Sequence, residues 1–139
     1  MKIAVVYWSS TGNTEAMAQA IAEGARKAGA SAELFTATEF DGGKVDAFDA
    51  IAFGCPAMGA EELEDSEFAP MFESCESKLS GKKIALFGSY GWGGSYMQDW
   101  EARVKDAGAT LVADGVLALG APDDEAVAKL AEAGKLLAE

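Results

Sequence analysis

The chain is short and strongly acidic. It has 139 residues, half of them hydrophobic, which suits a single domain with one buried core over residues 1–139. Eleven Lys and Arg side chains against 23 Asp and Glu give a formal net charge of −12. This charge argues against binding to nucleic acid or to an anionic membrane, because both repel an acidic surface. A basic protein partner is the better match.

The sequence contains no histidine. Its absence excludes sites that depend on imidazole, such as Ser-His nucleophile pairs and HExxH zinc sites. The two cysteines, Cys55 and Cys75, have no metal-binding spacing, so we expect no metal site and a reducing compartment. The first eight residues, MKIAVVYW, are too short an apolar run for a signal peptide or a membrane span. We therefore expect a cytoplasmic protein.

Short apolar runs alternate with amphipathic segments along the chain. Strands are predicted over residues 3–8, 32–35, 50–53, 84–87 and 111–119. Four stripes at helical spacing predict helices: Met17, Ala20, Ile21 and Ala28; Phe68, Met71, Phe72, Cys75 and Leu79; Met97, Trp100, Val104 and Ala107; and Val127, Leu130, Ala131 and Leu137. We expect Gly29 to end the first helix and Asp123 or Asp124 to cap the last.

This alternation of strands and helices predicts an α/β fold, with a mainly parallel sheet and helices on both of its faces. Ligands of such sheets bind beyond the carboxyl ends of the strands, where the strand order reverses. The loops after the first, third and fourth strands are therefore the candidate site.

The loop after the first strand reads Ser9-Ser10-Thr11-Gly12-Asn13-Thr14 and leads directly into a helix. Hydroxyls and free backbone N–H groups at a helix start form an anion site, helped by the helix dipole. No Lys or Arg lies between residues 3 and 24, so neutral donors alone would hold a phosphate here. A simple N-capping turn is the alternative. The P-loop, GxGxxG and Cys-x5-Arg phosphate motifs are absent.

The other two loops carry apolar side chains where polar ones are usual. Met58 and Gly59 follow the third strand, and Trp92 follows the fourth, between glycines. A thioether and an indole at these places can sandwich a flat apolar ligand. The alternative is that both side chains pack into the core.

Three segments together carry a family resemblance: SSTGNT, GCPAMGAEE from Gly54 to Glu62, and FGSYGWG from Phe87 to Gly93. Over essentially the whole chain, the sequence resembles the short-chain flavodoxins of clostridia and related anaerobes. The resemblance implies a flavodoxin-like three-layer sandwich, with a five-stranded parallel sheet in the order 2-1-3-4-5 and helices on both faces. It also implies noncovalently bound FMN and low-potential one-electron transfer between semiquinone and hydroquinone, without a substrate of the protein's own.

The resemblance also implies roles for individual residues. Trp92 and Met58 would cover the two faces of the flavin ring, and the Glu61 carboxylate would accept a hydrogen bond from ring N3–H. The Met58–Gly59 peptide would flip on reduction, which glycine permits at little cost. The implied cofactor-binding residues are Trp8, Ser9, Ser10, Thr11, Gly12, Asn13, Thr14, Cys55, Pro56, Ala57, Met58, Gly59, Glu61, Ser89, Tyr90, Gly91, Trp92 and Gly93. Cys55 stands where many relatives have Ser or Thr.

An acidic segment adjoins the proposed flavin edge. Its five carboxylates fall within seven residues: Glu61, Glu62, Glu64, Asp65 and Glu67. They are interpreted either as a solvated helix start, where acids complement the dipole, or as a docking surface for basic redox partner proteins. We expect the protein to be a monomer.

Three other functions are compatible with parts of the pattern. An FMN-dependent oxidoreductase of the same fold, such as a quinone reductase or a ribonucleotide-reductase-activating flavoprotein, would need a substrate or nicotinamide pocket that no added segment supplies. A phosphoacceptor receiver domain needs acids where this chain has Trp8-Ser9 and Gly54-Cys55. A phosphate-binding module without flavin leaves Trp92 and Met58 unexplained.

Overall fold

The computed structural model describes residues 1–9, 12–57, 63–90 and 95–139. Its strands are β1 (Lys2–Tyr7), β2 (Ser31–Thr36), β3 (Ala50–Gly54), β4 (Lys83–Tyr90), β5 (Thr110–Leu111) and β6 (Val116–Leu119). Its α-helices are α1 (Asn13–Lys27), α2 (Phe68–Glu76), α3 (Ser95–Asp106) and α4 (Asp124–Leu137), and two 3₁₀ segments cover Ala37–Glu39 and Gly42–Ala47.

The strands form one parallel sheet in the order β2-β1-β3-β4, with β5 and β6 both pairing with β4. The predicted fold class and strand order are therefore confirmed. The fifth position differs in detail, because two short strands stand where one continuous strand over residues 111–119 was expected. Between them the chain turns toward α3, and the Gly115 N–H donates to the Glu101 carboxylate at 2.7 Å.

Alternation along the buried strands gives the sheet two apolar faces. Ile51, Phe53 and Leu86 lie on the face covered by α2 and α3. Ala50, Ala52 and Phe87 lie on the other face, covered by α1 and α4. The helices therefore cover both faces, which leaves the ends of the strands as the places open to a ligand.

The helix termini and most stripes match the sequence-based expectations. Gly29 has φ +95° just beyond α1, and the Asp123 carboxylate caps α4 by accepting from the Ala126 N–H at 2.8 Å. Two stripe positions were wrong, because Ala28 is exposed and Val127 is 41% exposed. In α4 the buried face runs through Ala126 instead, followed by Leu130, Ala133 and Leu137.

No helix in the described parts of the chain is long and apolar enough to cross a membrane.

Candidate cofactor site

The three strands that lead into the candidate loops end together at the carboxyl edge of the sheet. Backbone hydrogen bonds continue between the strands after the regular pairing ends. The Trp8 N–H donates to the Gly54 carbonyl at 3.0 Å, and the Ala57 N–H donates to the Ser89 carbonyl at 3.0 Å. The ends of β1, β3 and β4 therefore lie side by side.

The first loop presents backbone donors at the start of α1. Gly12 is the N-cap residue and has φ +92°, a left-handed conformation that glycine adopts without strain. The Ser9 hydroxyl oxygen accepts from the N–H groups of Gly12, at 3.1 Å, and Glu15, at 3.4 Å. The N–H groups at this helix start thus already donate to an oxygen atom, and an oxygen of a bound anion would accept from such N–H groups in the same way.

Two buried hydroxyls join this helix start to the end of β4. The Thr14 Oγ1 and Ser89 Oγ atoms lie 3.2 Å apart, and the two residues are 1% and 7% exposed. They come from positions 75 residues apart in the chain. Both were predicted to contact a phosphate, and the fold brings them into direct contact.

The donor set fits the phosphate of FMN in its chemistry. A phosphate ester accepts hydrogen bonds only, and hydroxyls with backbone N–H groups at the N-terminus of a 15-residue helix supply donors and a favourable dipole. No Lys or Arg occurs between residues 3 and 24. The anion would therefore be held by neutral groups within an acidic protein.

Trp8 connects the first loop to the acidic segment. Its indole N–H donates to a Glu67 carboxylate oxygen at 2.9 Å. This bond joins positions 59 residues apart and ties the end of β1 to the start of α2. Glu67 thus has a structural partner in addition to its place in the predicted docking surface.

Cys55 lies at the base of the segment that follows β3. Its side chain is fully buried, and its Sγ atom accepts from the Glu64 N–H at 3.3 Å. Burial raises the pKa of the thiol to about 12, so it is neutral at physiological pH. The thiol packs in the core on the α2 and α3 side of the sheet, and its Sγ atom joins the end of β3 to the residues that precede α2.

Glu64 belongs to the interior and not to an exposed acidic surface, so its inclusion in the docking surface was wrong. It is only 5% exposed. Its carboxylate accepts from the N–H groups of Glu67, at 2.7 Å, and Phe68, at 2.9 Å, and from both the N–H and the hydroxyl of Ser66. Burial alone raises the pKa of this carboxyl, but these hydrogen bonds outweigh burial and lower it to about 2. The carboxylate therefore caps the start of α2.

The described residues include ten of the predicted cofactor-binding residues, all at this sheet edge: Trp8, Ser9, Gly12, Asn13, Thr14, Cys55, Pro56, Ala57, Ser89 and Tyr90. The others lie outside the described residues: Ser10, Thr11, Met58, Gly59, Glu61, Gly91, Trp92 and Gly93. Glu62 of the acidic segment also lies outside them.

Sequence reasoning missed Tyr96 and the spatial role of Gly88. The buried Tyr96 hydroxyl donates to the Cys55 carbonyl at 2.7 Å. A Cβ atom on Gly88 would lie 2.1 Å from both bonded oxygens, so only glycine leaves room for this bond. Because Cys55 and Tyr96 are 41 residues apart, no local pattern could have indicated the contact.

The strand order, with helices on both faces of a parallel sheet, defines an α/β protein of the flavodoxin-like class. A family model described as flavodoxin matches residues 5–134. A flavodoxin of Megasphaera elsdenii is 47% identical over 116 residues, which cover 83% of this chain and 85% of that protein. A flavodoxin of Clostridium beijerinckii is 43% identical over 135 residues, covering 96% of this chain and 97% of the relative.

The solution structure of two-electron reduced Megasphaera elsdenii flavodoxin superposes with a TM-score of 0.90 at 44% identity, over 98% of each chain. The chain belongs to the flavodoxin family. The resemblance to the short-chain proteins of anaerobes is thus confirmed. Membership identifies the cofactor as FMN and the activity as low-potential one-electron transfer with redox partner proteins, and not the conversion of a substrate.

Proposed function

We propose that the carboxyl edge of the sheet is the FMN site through which this chain transfers single electrons. FMN supplies the redox chemistry when bound. Ser9, Thr14, Ser89 and the N–H groups at the start of α1 would bind its phosphate. Trp8, held by Glu67, would shield that phosphate from water. The observation that carries the proposal is the buried Thr14–Ser89 hydroxyl pair beside the helix start.

The rest of the proposed site lies in the segments that flank these donors. Residues 58–61 would line one face of the flavin ring, and residues 91–93 would line the other. The net charge of −12 disfavours additional negative charge at the site, because nearby like charges and poor solvation both destabilise an anion. The acidic chain therefore supports a low potential for the second electron.

An anaerobic reductive titration of the FMN-loaded protein tests this function. We expect a broad long-wavelength absorbance band to grow to near stoichiometry and then fade, because the two electrons are taken up in separate steps. Direct bleaching without that band would contradict one-electron transfer. Failure of the protein to take up FMN would overturn the proposed site.

We also propose that the exposed acids beside the site dock basic redox partners. Asp65 and Glu67 are exposed, and Glu61 and Glu62 complete the proposed surface. Glu64 is excluded from it because its carboxylate caps α2. Exposed carboxylates attract a basic partner over about 10 Å at moderate ionic strength.

Electron transfer to a basic partner protein is expected to slow as ionic strength rises, because salt screens this attraction. The measurement is the second-order rate constant, by stopped flow, across a salt series. Asp65→Asn should lower the rate at low salt, whereas Asp106→Asn, at the far end of α3, should leave it unchanged. A rate constant that is independent of salt would contradict the docking surface.

We place the protein in a reducing compartment, the cytoplasm, as a monomeric single domain. Both cysteines are buried free thiols, as expected where disulfides do not form. The two apolar clusters lie on opposite faces of one sheet, which supports one domain over residues 1–139.

A further inference from the structure

A hydrogen bond connects the end of β3 to the residues that precede α2. Cys55 precedes residues 56–63 and Glu64 follows them. The Glu64 N–H donates to the Cys55 Sγ atom at 3.3 Å, and both residues are buried. The two residues that bracket residues 56–63 in the chain are therefore bonded to each other at one buried point.

A second bond connects this point to another part of the proposed site. The Cys55 carbonyl accepts from the Tyr96 hydroxyl at 2.7 Å. Tyr96 is the second residue of α3, and α3 follows directly on residues 91–94, which include Trp92. The Tyr96 hydroxyl thus connects Cys55, which precedes residues 56–63 in the chain, to the first turn of α3, which follows residues 91–94.

The surroundings keep this hydroxyl a donor. Tyr96 is 3% exposed, and burial raises the pKa of its phenol further above the physiological range. Its ring also stacks on Trp100, with ring centroids 6.4 Å apart. The ring is therefore held by packing, and the hydroxyl adds one specific bond to that packing.

Gly88 is the third part of the arrangement. It lies in β4, and a Cβ atom there would be 2.1 Å from the Cys55 carbonyl oxygen and 2.1 Å from the Tyr96 hydroxyl oxygen. Any side chain at this position would push the two bonded oxygens apart. The absence of a side chain is therefore a requirement of the bond.

We infer that Tyr96 is a positioning residue for FMN, which fixes the end of β3 against the start of α3 through its bond to Cys55. The inference rests on the proposed function, because the residues assigned to the flavin ring directly follow Cys55 and directly precede α3 in the chain. A site whose supporting strand and helix are fixed before binding loses less conformational entropy when the ligand enters. The bond should therefore increase FMN affinity without contacting FMN.

Tyr96→Phe tests the inference, because it removes the hydroxyl and keeps the ring that packs on Trp100. We expect the FMN dissociation constant to rise about tenfold, the value of one buried hydrogen bond. In the FMN-free variant, amide hydrogen exchange should accelerate in residues 55–64 and 95–97 and stay unchanged in α1 and α4. Tyr7→Phe is the matched control, since its hydroxyl bonds to the Glu15 side chain and to neither segment.

A wild-type dissociation constant in Tyr96→Phe overturns the inference, as does faster exchange spread evenly over the whole protein. Gly88→Ala provides a second variant and should weaken FMN binding in the same direction. Failure of the wild-type protein to bind FMN would instead overturn the proposed function, so the two failures are distinguishable.

Discussion

Replacing Thr14 by valine is expected to weaken FMN binding about 30-fold, equivalent to about 2 kcal/mol. Valine keeps the shape of the side chain but removes a hydroxyl that is 1% exposed and lies 3.2 Å from the Ser89 hydroxyl. The change removes one donor to the phosphate. It also leaves the Ser89 hydroxyl without this buried partner, which adds a desolvation cost. Quenching of FMN fluorescence on titration with FMN-free protein measures the effect.

Thr110→Val is the matched control, because Thr110 is exposed and lies at the opposite end of the sheet. It should bind FMN as the wild-type protein does. Ser89→Ala and the double variant complete a mutant cycle, in which the two single losses should not add, because the hydroxyls act as a pair. Equal affinities of Thr14→Val and the wild-type protein would contradict the assigned phosphate site.

Replacing Glu64 by alanine is expected to lower the free energy of unfolding at pH 7 by about 2 kcal/mol. The change removes the acceptor for four hydrogen bonds and leaves the N–H groups of Glu67 and Phe68 without their partner at the start of α2. Urea unfolding of the FMN-free protein measures the loss. Asp65→Ala is the control, because this neighbouring acid is exposed, and its unfolding free energy should stay close to that of the wild type.

The contribution of the Glu64 charge should depend on pH with a definite sign. The pKa of this carboxyl is about 2 in the folded chain and about 4.3 in an unfolded one. Its stabilisation is therefore complete above the unfolded value and is lost as the pH falls toward 2. The difference in unfolding free energy between wild type and Glu64→Gln should be constant above about pH 5 and shrink below that. A difference that stays constant down to pH 2 would contradict this role.

Much of the fold follows from patterns that are local in the sequence. Apolar runs located the strands, because a sheet covered on both faces buries almost every side chain of its central strands. Stripes at helical spacing located the four α-helices, and the hydroxyl-rich turn located the start of α1. The main error in the helices concerned Val127, where Ala126 is buried instead. Where a small and a large apolar residue are neighbours in a helix, the sequence pattern alone does not determine which of the two faces the core.

The contacts that organise the site could not be predicted in the same way. Glu64 is one of several similar acids within a few residues, and nothing local distinguishes the buried carboxylate from its exposed neighbours. The Tyr96–Cys55 bond spans 41 residues and depends on how α3 packs on the sheet. Cys55 was considered for a cofactor contact because of its position in the motif. Its observed partner is the Glu64 N–H, which only the folded chain brings near.

The break between β5 and β6 has a consequence for how the protein behaves at high concentration. An edge strand usually offers a row of free backbone donors and acceptors on which a strand of another molecule can pair. Here the outer strands are two and four residues long, and between them the Gly115 N–H is used by the Glu101 carboxylate. This edge is therefore a poor template for strand addition, so the interrupted ladder limits aggregation through this side of the sheet.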